Sequence, residues 1–186
     1  MKYPGLLQAL EADRALADTI ADSRRSGVTT LDVTAVPAFF PLLTAAIADG
    51  SGRTVLLVTS TYREAEQLTT ELGSLLGDDA VAYYPAWETL PHERLSPRAD
   101  TVGRRLAVLR RLAGKADEPA PQVVVAPVRS LLQPQVKGLA DMAPVRIAVG
   151  EQYELSALLA DLSGAAYNRV DLVERRGEFA VRGGIV

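Results

Sequence analysis

The apolar positions of this chain follow one rhythm up to about residue 135 and another after residue 144. Over residues 6–23, Leu6, Leu10, Ala17 and Ile20 recur at helical spacing with charges between them, which predicts an amphipathic helix ended by Gly27. A short strand is expected at 29–34 (TTLDVT), then a helix over 37–48 that opens on Pro37 and closes at Gly50. Residues 54–59 (TVLLVT) form an unbroken apolar run with polar borders, the pattern of a buried strand. Thr61 and Glu64 have the spacing of a capping box, and the helix they start carries Ala65, Leu68, Leu72 and Leu75 on one face. A strand at 80–84 (AVAYY) and an irregular loop at 85–95 follow. Ser96-Pro97 then caps a helix running to about Ala113. A polar loop at 114–121, a strand at 122–126 (QVVVA) and a short helix at 127–132 complete this part.

Apolar strands alternating with helices predict an α/β fold: a parallel sheet with helices on both faces. Beyond residue 144 the order becomes strand 145–149, helix 155–166, strand 169–174 and strand 178–186. Val170 and Leu172 alternate with Arg169 and Asp171, and Gly177 suits a turn, so an antiparallel α+β module is expected. The change in rhythm sets a boundary near 141–144, giving one unit over 1–143 and a second over 144–186. The chain stops inside an apolar run (Gly184-Ile185-Val186), from which the second module is expected to be incomplete.

The 186 residues are 48% hydrophobic and 23% charged, the usage of a globular protein rather than a disordered, collagen-like or coiled-coil one. A compact chain of this size exposes about 8,700 Å². Without cysteine there is no disulfide framework, no thiolate metal site and no Cys nucleophile. The net charge of −3 excludes polyanion binding by bulk charge but leaves room for a local basic patch. No apolar run approaches the roughly 18 residues of a membrane span, and acids near the N-terminus exclude a signal peptide, so a cytoplasmic protein is expected.

A parallel sheet invites a search for nucleotide chemistry. A phosphate loop needs glycines, a lysine and a neighbouring hydroxyl residue. Lys2, Lys115 and Lys137 are the three lysines; none has Ser or Thr beside it, and none lies between a strand and a helix. The segment 34–38 (TAVPA), where such a loop would fall, has neither Gly nor Lys. There is no G-x-G-x-x-G and no G-x-S-x-G, and a single histidine excludes a multi-His metal site. His92 beside Glu93 reads as a loop imidazole or a general base, and Glu88 with Glu93 as separate loop acids or a carboxylate pair.

Two basic features remain. In the helix over 98–111, Val102, Leu106, Leu109 and Ala113 form one stripe. Arg104 and Arg111 are expected on the far side, with Arg98, Arg105 and Arg110 flanking the stripe. Such a helix either contacts phosphates on DNA or presents a solvated arginine face, making Arg104 and Arg111 candidate phosphate or partner contacts. In the tail, Arg182 precedes Gly183-Gly184, where a partner can approach it closely.

Two segments taken together resemble a known family. YPAWETLPHERLSPRADTVGRRLAVLRRL (84–112) and YNRVDLVERRGEFAVRGGIV (167–186) resemble the N-terminal, UvrB-like region of the bacterial transcription-repair coupling factors. The second segment is also similar to UvrB itself. The resemblance implies a degenerate P-loop NTPase-like domain at 1–143, with DVTAVPAFF (32–40) at the degenerate loop, then the start of a UvrB domain 2-like module. It implies a non-catalytic scaffold with no cofactor that recruits UvrA, with Arg182 as a UvrA contact. It further implies an autoinhibitory contact with a C-terminal domain of the same polypeptide. ATP, RNA polymerase and DNA would engage other domains of the parent protein, and this piece would be a monomer. A DNA-binding module built on the 98–111 helix and a UvrB-like ATP-dependent helicase fragment are the alternatives.

Overall fold

A computed structural model of the chain describes residues 5–6, 12–89 and 96–186. Its centre is a three-stranded parallel sheet of β1 (Val55–Thr59), β2 (Val81–Tyr83) and β3 (Val123–Pro127), in the order β1-β3-β2. Val123 stands opposite both Val55 and Val81, and Val125 opposite both Leu57 and Tyr83. All five residues of β3 are buried because it alone is paired on both sides. Its β-branched run suits such a strand, where stiff side chains pack against both faces.

The strand period of two sorts these residues onto two faces. On one face Val81, Val123 and Val125 meet three helices. These are α1 (Arg14–Arg24), α2 (Phe40–Ser51) and α3 (Tyr62–Leu76), which contribute Leu16, Ile20, Leu43, Ala45, Ala46, Ala48, Ala65, Leu72 and Leu76. On the other face Ala82, Val124 and Ala126 meet Val108 and Leu109 of α4 (Ala99–Leu112). Helices thus cover both faces, and the architecture is α/β as expected. The coverage is uneven, however. The run at 54–59 was expected to be buried throughout, but β1 is an edge strand that α4 does not reach, and Leu56 and Val58 stay 51% and 46% exposed.

Local chemistry sets the helix ends. The Thr61 hydroxyl accepts the Glu64 N–H at 3.2 Å, as a capping box requires. The Glu64 carboxylate reaches one residue further back than the motif predicts, to the N–H (3.3 Å) and hydroxyl (3.0 Å) of Ser60. The helix expected over 6–23 is broken at Ala12 and Asp13, where the Asp13 side chain caps α1 by accepting the Leu16 N–H at 3.0 Å; residues 7–11 lie outside the described ones. The next helix runs past Gly50 to Ser51 and closes on Gly52. No strand forms at 29–34: this stretch is exposed and has no partner to complete a ladder. Ser96-Pro97 does not cap α4 either. Arg98 is the N-cap residue, and the side chain that serves this helix end is Glu88.

After α5 (Val128–Leu132) the chain makes a 3₁₀ turn at Leu139–Asp141 and reaches α6 (Leu155–Gly164). The expected strand at 145–149 is absent, and those at 169–174 and 178–186 shrink to β4 (Asn168–Arg169) and β5 (Glu178–Phe179). These pair in parallel rather than antiparallel. The connection changes direction twice, at a bend over 171–172 and a turn over 175–177, so β5 comes alongside β4 pointing the same way, with the Asn168 N–H donating to Gly177 O and the Val170 N–H to Phe179 O. In this second segment only Leu162 and Phe179 join the buried hydrophobic residues. The chain exposes 12,562 Å², well above the area expected of one compact unit; the stretch 25–34 and most of the second segment are exposed. Among the described residues no helix is long and apolar enough to cross a membrane.

One cap carries a testable strain. The N–H of Tyr167 donates to Leu162 O (3.0 Å) and that of Ala166 to Ser163 O (3.1 Å), the bond pair of a Schellman motif. The left-handed position belongs to Ala166, at φ +65°, where glycine is the usual residue. Ala166→Gly relieves the Cβ clash but loosens the unfolded chain, for a net gain of about 0.5–1 kcal/mol. The expected readout is amide exchange across α6 slowed about 2- to 5-fold.

Candidate functional site

The tail builds a small presentation surface. Arg182 and Ile185 exchange both backbone hydrogen bonds, Arg182 N–H to Ile185 O at 3.0 Å and Ile185 N–H to Arg182 O at 3.1 Å. The two-residue turn between them is Gly183-Gly184, with Gly183 at φ +62°, a position that favours glycine. Phe179 is buried and anchors the hairpin from within. Around Arg182 lies an open apolar groove of about 320 Å³, lined by Val173, Phe179, Ala180, Ile185 and Val186. The Arg182 side chain is exposed and makes no hydrogen bond or ion pair with the described residues. Glu178 turns back on its own loop, accepting the N–H groups of Glu174 (2.9 Å) and Arg175 (3.0 Å). An exposed guanidinium beside an apolar groove suits a protein partner that offers a carboxylate next to an apolar side chain.

Helix α4 is arranged differently from its expected stripe. The fully buried positions are Thr101, Arg105 and Val108, and Val102, Leu106 and Leu109 are only half-buried. The helix is therefore rotated so that an arginine faces the sheet. The Arg105 guanidinium lies 4.2 Å from the ring centres of both Tyr84 and Trp87. It donates to Pro85 O at 2.5 Å and, more weakly, to Ser130 O at 3.5 Å, while its Nε finds no acceptor among the described residues. No carboxylate pairs with it among the described residues. Burial disfavours its charge and lowers its pKa; burial likewise raises that of the Tyr84 phenol. The two rings supply the attraction that a counter-ion otherwise would.

Most of the other arginines of α4 are also engaged. Arg111 donates to Pro119 O (2.9 Å) and Asp79 O (2.5 Å), so it ties two loops rather than projecting freely. Arg110 donates to Met142 O at 2.8 Å, and Arg104 pairs with Asp100 at 3.0 Å. The sheet and helix thus bring Arg105, Tyr84 and Trp87 together, whereas Arg104, Arg111 and Arg182 each stand apart. His92 and Glu93 lie outside the described residues, as does Lys2. Among the described residues no cluster of His, Asp and Glu has the makings of a metal site.

Glu88 has a structural task. Its carboxylate accepts the Thr101 hydroxyl and the Arg98 N–H (3.4 Å), satisfying donors at the start of α4. Burial alone raises its pKa, but the Thr101 hydroxyl, backbone N–H groups and the Arg98 charge together outweigh burial and hold it below the ordinary 4.5. A carboxyl with a lowered folded pKa stabilises the fold above its ordinary pKa and loses that contribution as pH falls. Urea melts of Glu88→Gln should therefore fall below the native chain at about pH 7, and the gap should close progressively as the pH is taken below the ordinary carboxylate range.

Sequence reasoning missed Arg105, Asp100 and Arg176 as contact residues. The one signal for Arg105 was the pair of large rings, Tyr84 and Trp87, just ahead of α4. Asp100 was visible only as the lone acid among the arginines of that helix.

Comparison with known proteins adds the class and then the relatives. Residues 145–186 match the UvrB interaction domain, so the arginine hairpin and its groove belong to a segment of that class. The chain matches the N-terminal region of the bacterial transcription-repair coupling factors, as the two sequence segments implied. It is 52% identical over 153 residues to the transcription-repair-coupling factor of Mycobacterium bovis, 32% over 146 residues to that of Bacillus subtilis and 31% over 147 residues to that of Escherichia coli. These alignments cover 81%, 78% and 77% of this chain but 12% of each relative, so the chain spans about an eighth of their length.

Proposed function

We propose that this chain is a non-catalytic interaction module of transcription-coupled nucleotide excision repair that recruits UvrA, with Arg182 as the anchoring contact. The observation that carries the reading is that the segment matching the UvrB interaction domain holds, in a hairpin, an exposed arginine that pairs with none of the described residues and lies against an apolar groove. Residues 1–143 serve as a UvrB-like α/β support with a degenerate nucleotide site, since 34–38 offers neither the glycine nor the lysine that phosphate binding needs. Residues 144–186 belong to the UvrA-binding unit. In the parent protein the same surface is masked by a C-terminal domain until RNA polymerase stalls, and the ATP-driven work on DNA belongs to other domains. DNA binding by α4 has less support, because Arg105, Arg110 and Arg111 are already bound to backbone carbonyls.

Titration calorimetry of the chain against purified UvrA, with ATP alone as control ligand, tests this. Heat with UvrA and none with ATP is the expected result. Heat with ATP would move the chain to a nucleotide-dependent class, and silence with UvrA would remove the recruitment role from these 186 residues.

A further inference from the structure

The arginine-rich helix α4 has a use that neither DNA binding nor a solvated face describes. Its C-terminal end holds the stretch that leads into the second segment, and its N-terminal end holds a turn within that segment. At the C-terminal end, Arg110 donates to Ala140 O (3.4 Å) and Met142 O (2.8 Å), and the 3₁₀ turn Leu139–Asp141 packs against the helix. Just beyond, Lys115 pairs with Asp141, and Asp117 pairs with Arg146 at 2.7 Å. At the N-terminal end, Asp100 takes Arg176 on one carboxylate oxygen at 2.6 Å and Arg104 on the other at 3.0 Å. The neighbouring Gly177 lies so close that a Cβ there would sit 2.5 Å from the Cβ of Ala99, and its φ of +89° also favours glycine. The fourteen residues between these ends span about 21 Å.

We propose that α4 is an internal docking rail that fixes the orientation of this chain's own interaction segment. The partner it fits is basic and narrow: the Arg175-Arg176-Gly177 turn, set on an acidic first helical turn where the helix dipole also favours the Asp100 carboxylate. The turn arrives already shaped, because Glu178 holds the N–H groups of Glu174 and Arg175. One exposed ion pair contributes little by itself. Here several act at both ends of one rigid element, together with a close backbone approach, on a segment that buries only Leu162 and Phe179. Among the described residues no other set of contacts of comparable extent ties the segment carrying Arg182 to the α/β unit.

The chain has no cysteine, so spin labels at Glu66→Cys on α3 and Asp161→Cys on α6 report the arrangement uniquely. The expected result is one narrow distance distribution, broadened about twofold or more by Asp100→Arg and equally by Arg176→Asp, and narrowed again when both are combined. Amide exchange at 174–180 should quicken about tenfold in each single variant. Arg176 lies outside α4, so its reversal separates loss of docking from damage to the helix, and circular dichroism verifies that α4 persists. A distribution that is broad in the unaltered chain, or unchanged by either reversal, or not restored by the swap, would overturn the proposal.

Discussion

Replacing Arg105 with alanine is expected to destabilise the α/β unit by about 2–4 kcal/mol, and to lower its melting temperature by roughly 5–15 °C. The side chain is fully buried between two rings, so truncation forfeits two cation–π contacts and leaves a slot that Tyr84 and Trp87 cannot both collapse into. It also strands the Pro85 carbonyl. The accompanying control is Arg105→Met. Because no carboxylate among the described residues pairs with Arg105, methionine leaves none of them unpaired; it refills the slot and keeps a favourable contact with both rings. Methionine should therefore recover at least half of the loss. Trp87 is the only tryptophan, so its fluorescence reports the stack directly during thermal melts. An unchanged midpoint for the alanine variant would show that the stack adds nothing to stability.

The second large effect concerns partner binding. Arg182→Ala is expected to weaken UvrA binding by about 2–4 kcal/mol, or roughly 30- to 700-fold, while leaving the melting temperature unchanged. The separation of the two readouts follows from position. The Arg182 side chain bonds none of the described residues, and its hairpin is closed through backbone atoms that alanine retains. Arg182→Lys keeps the charge and loses the fork, so its binding should fall between the two. Calorimetric titrations that place the alanine variant within threefold of the unaltered chain would take Arg182 out of the contact.

The central sheet was legible because its three strands are written as short, nearly continuous apolar runs, and α2, α3, α4 and α6 because each has a helical apolar face. What misled was alternation without a neighbour. TTLDVT reads as a strand, yet a strand exists only where another strand faces it, and none does there. The tail failed for the same reason: Val170, Leu172 and the turn at Gly177 suggested a hairpin, but pairing direction is decided by the path between strands, which side-chain pattern does not encode. In α4 two faces compete. The stripe of Val102, Leu106 and Leu109 is the more apolar, and the face that won, Thr101-Arg105-Val108, is chosen by Tyr84 and Trp87 from another element. Arg182 stood out locally because a two-residue glycine turn is a local matter. Asp100 and Arg176, 76 residues apart, were not.

The strand order has a consequence for how the chain is made. β1 and β2 never touch one another; each pairs only with β3, which is synthesised last of the three. A ribosome must add about 70 residues after β1 before β3 is complete, or roughly 4–14 s at bacterial elongation rates. Throughout that interval VLLVT has no ladder available to it, and neither has VAY from its own synthesis until β3 is complete. Protection of nascent β1 then falls to α2 and α3, whose apolar faces are local in sequence and ready before the sheet exists.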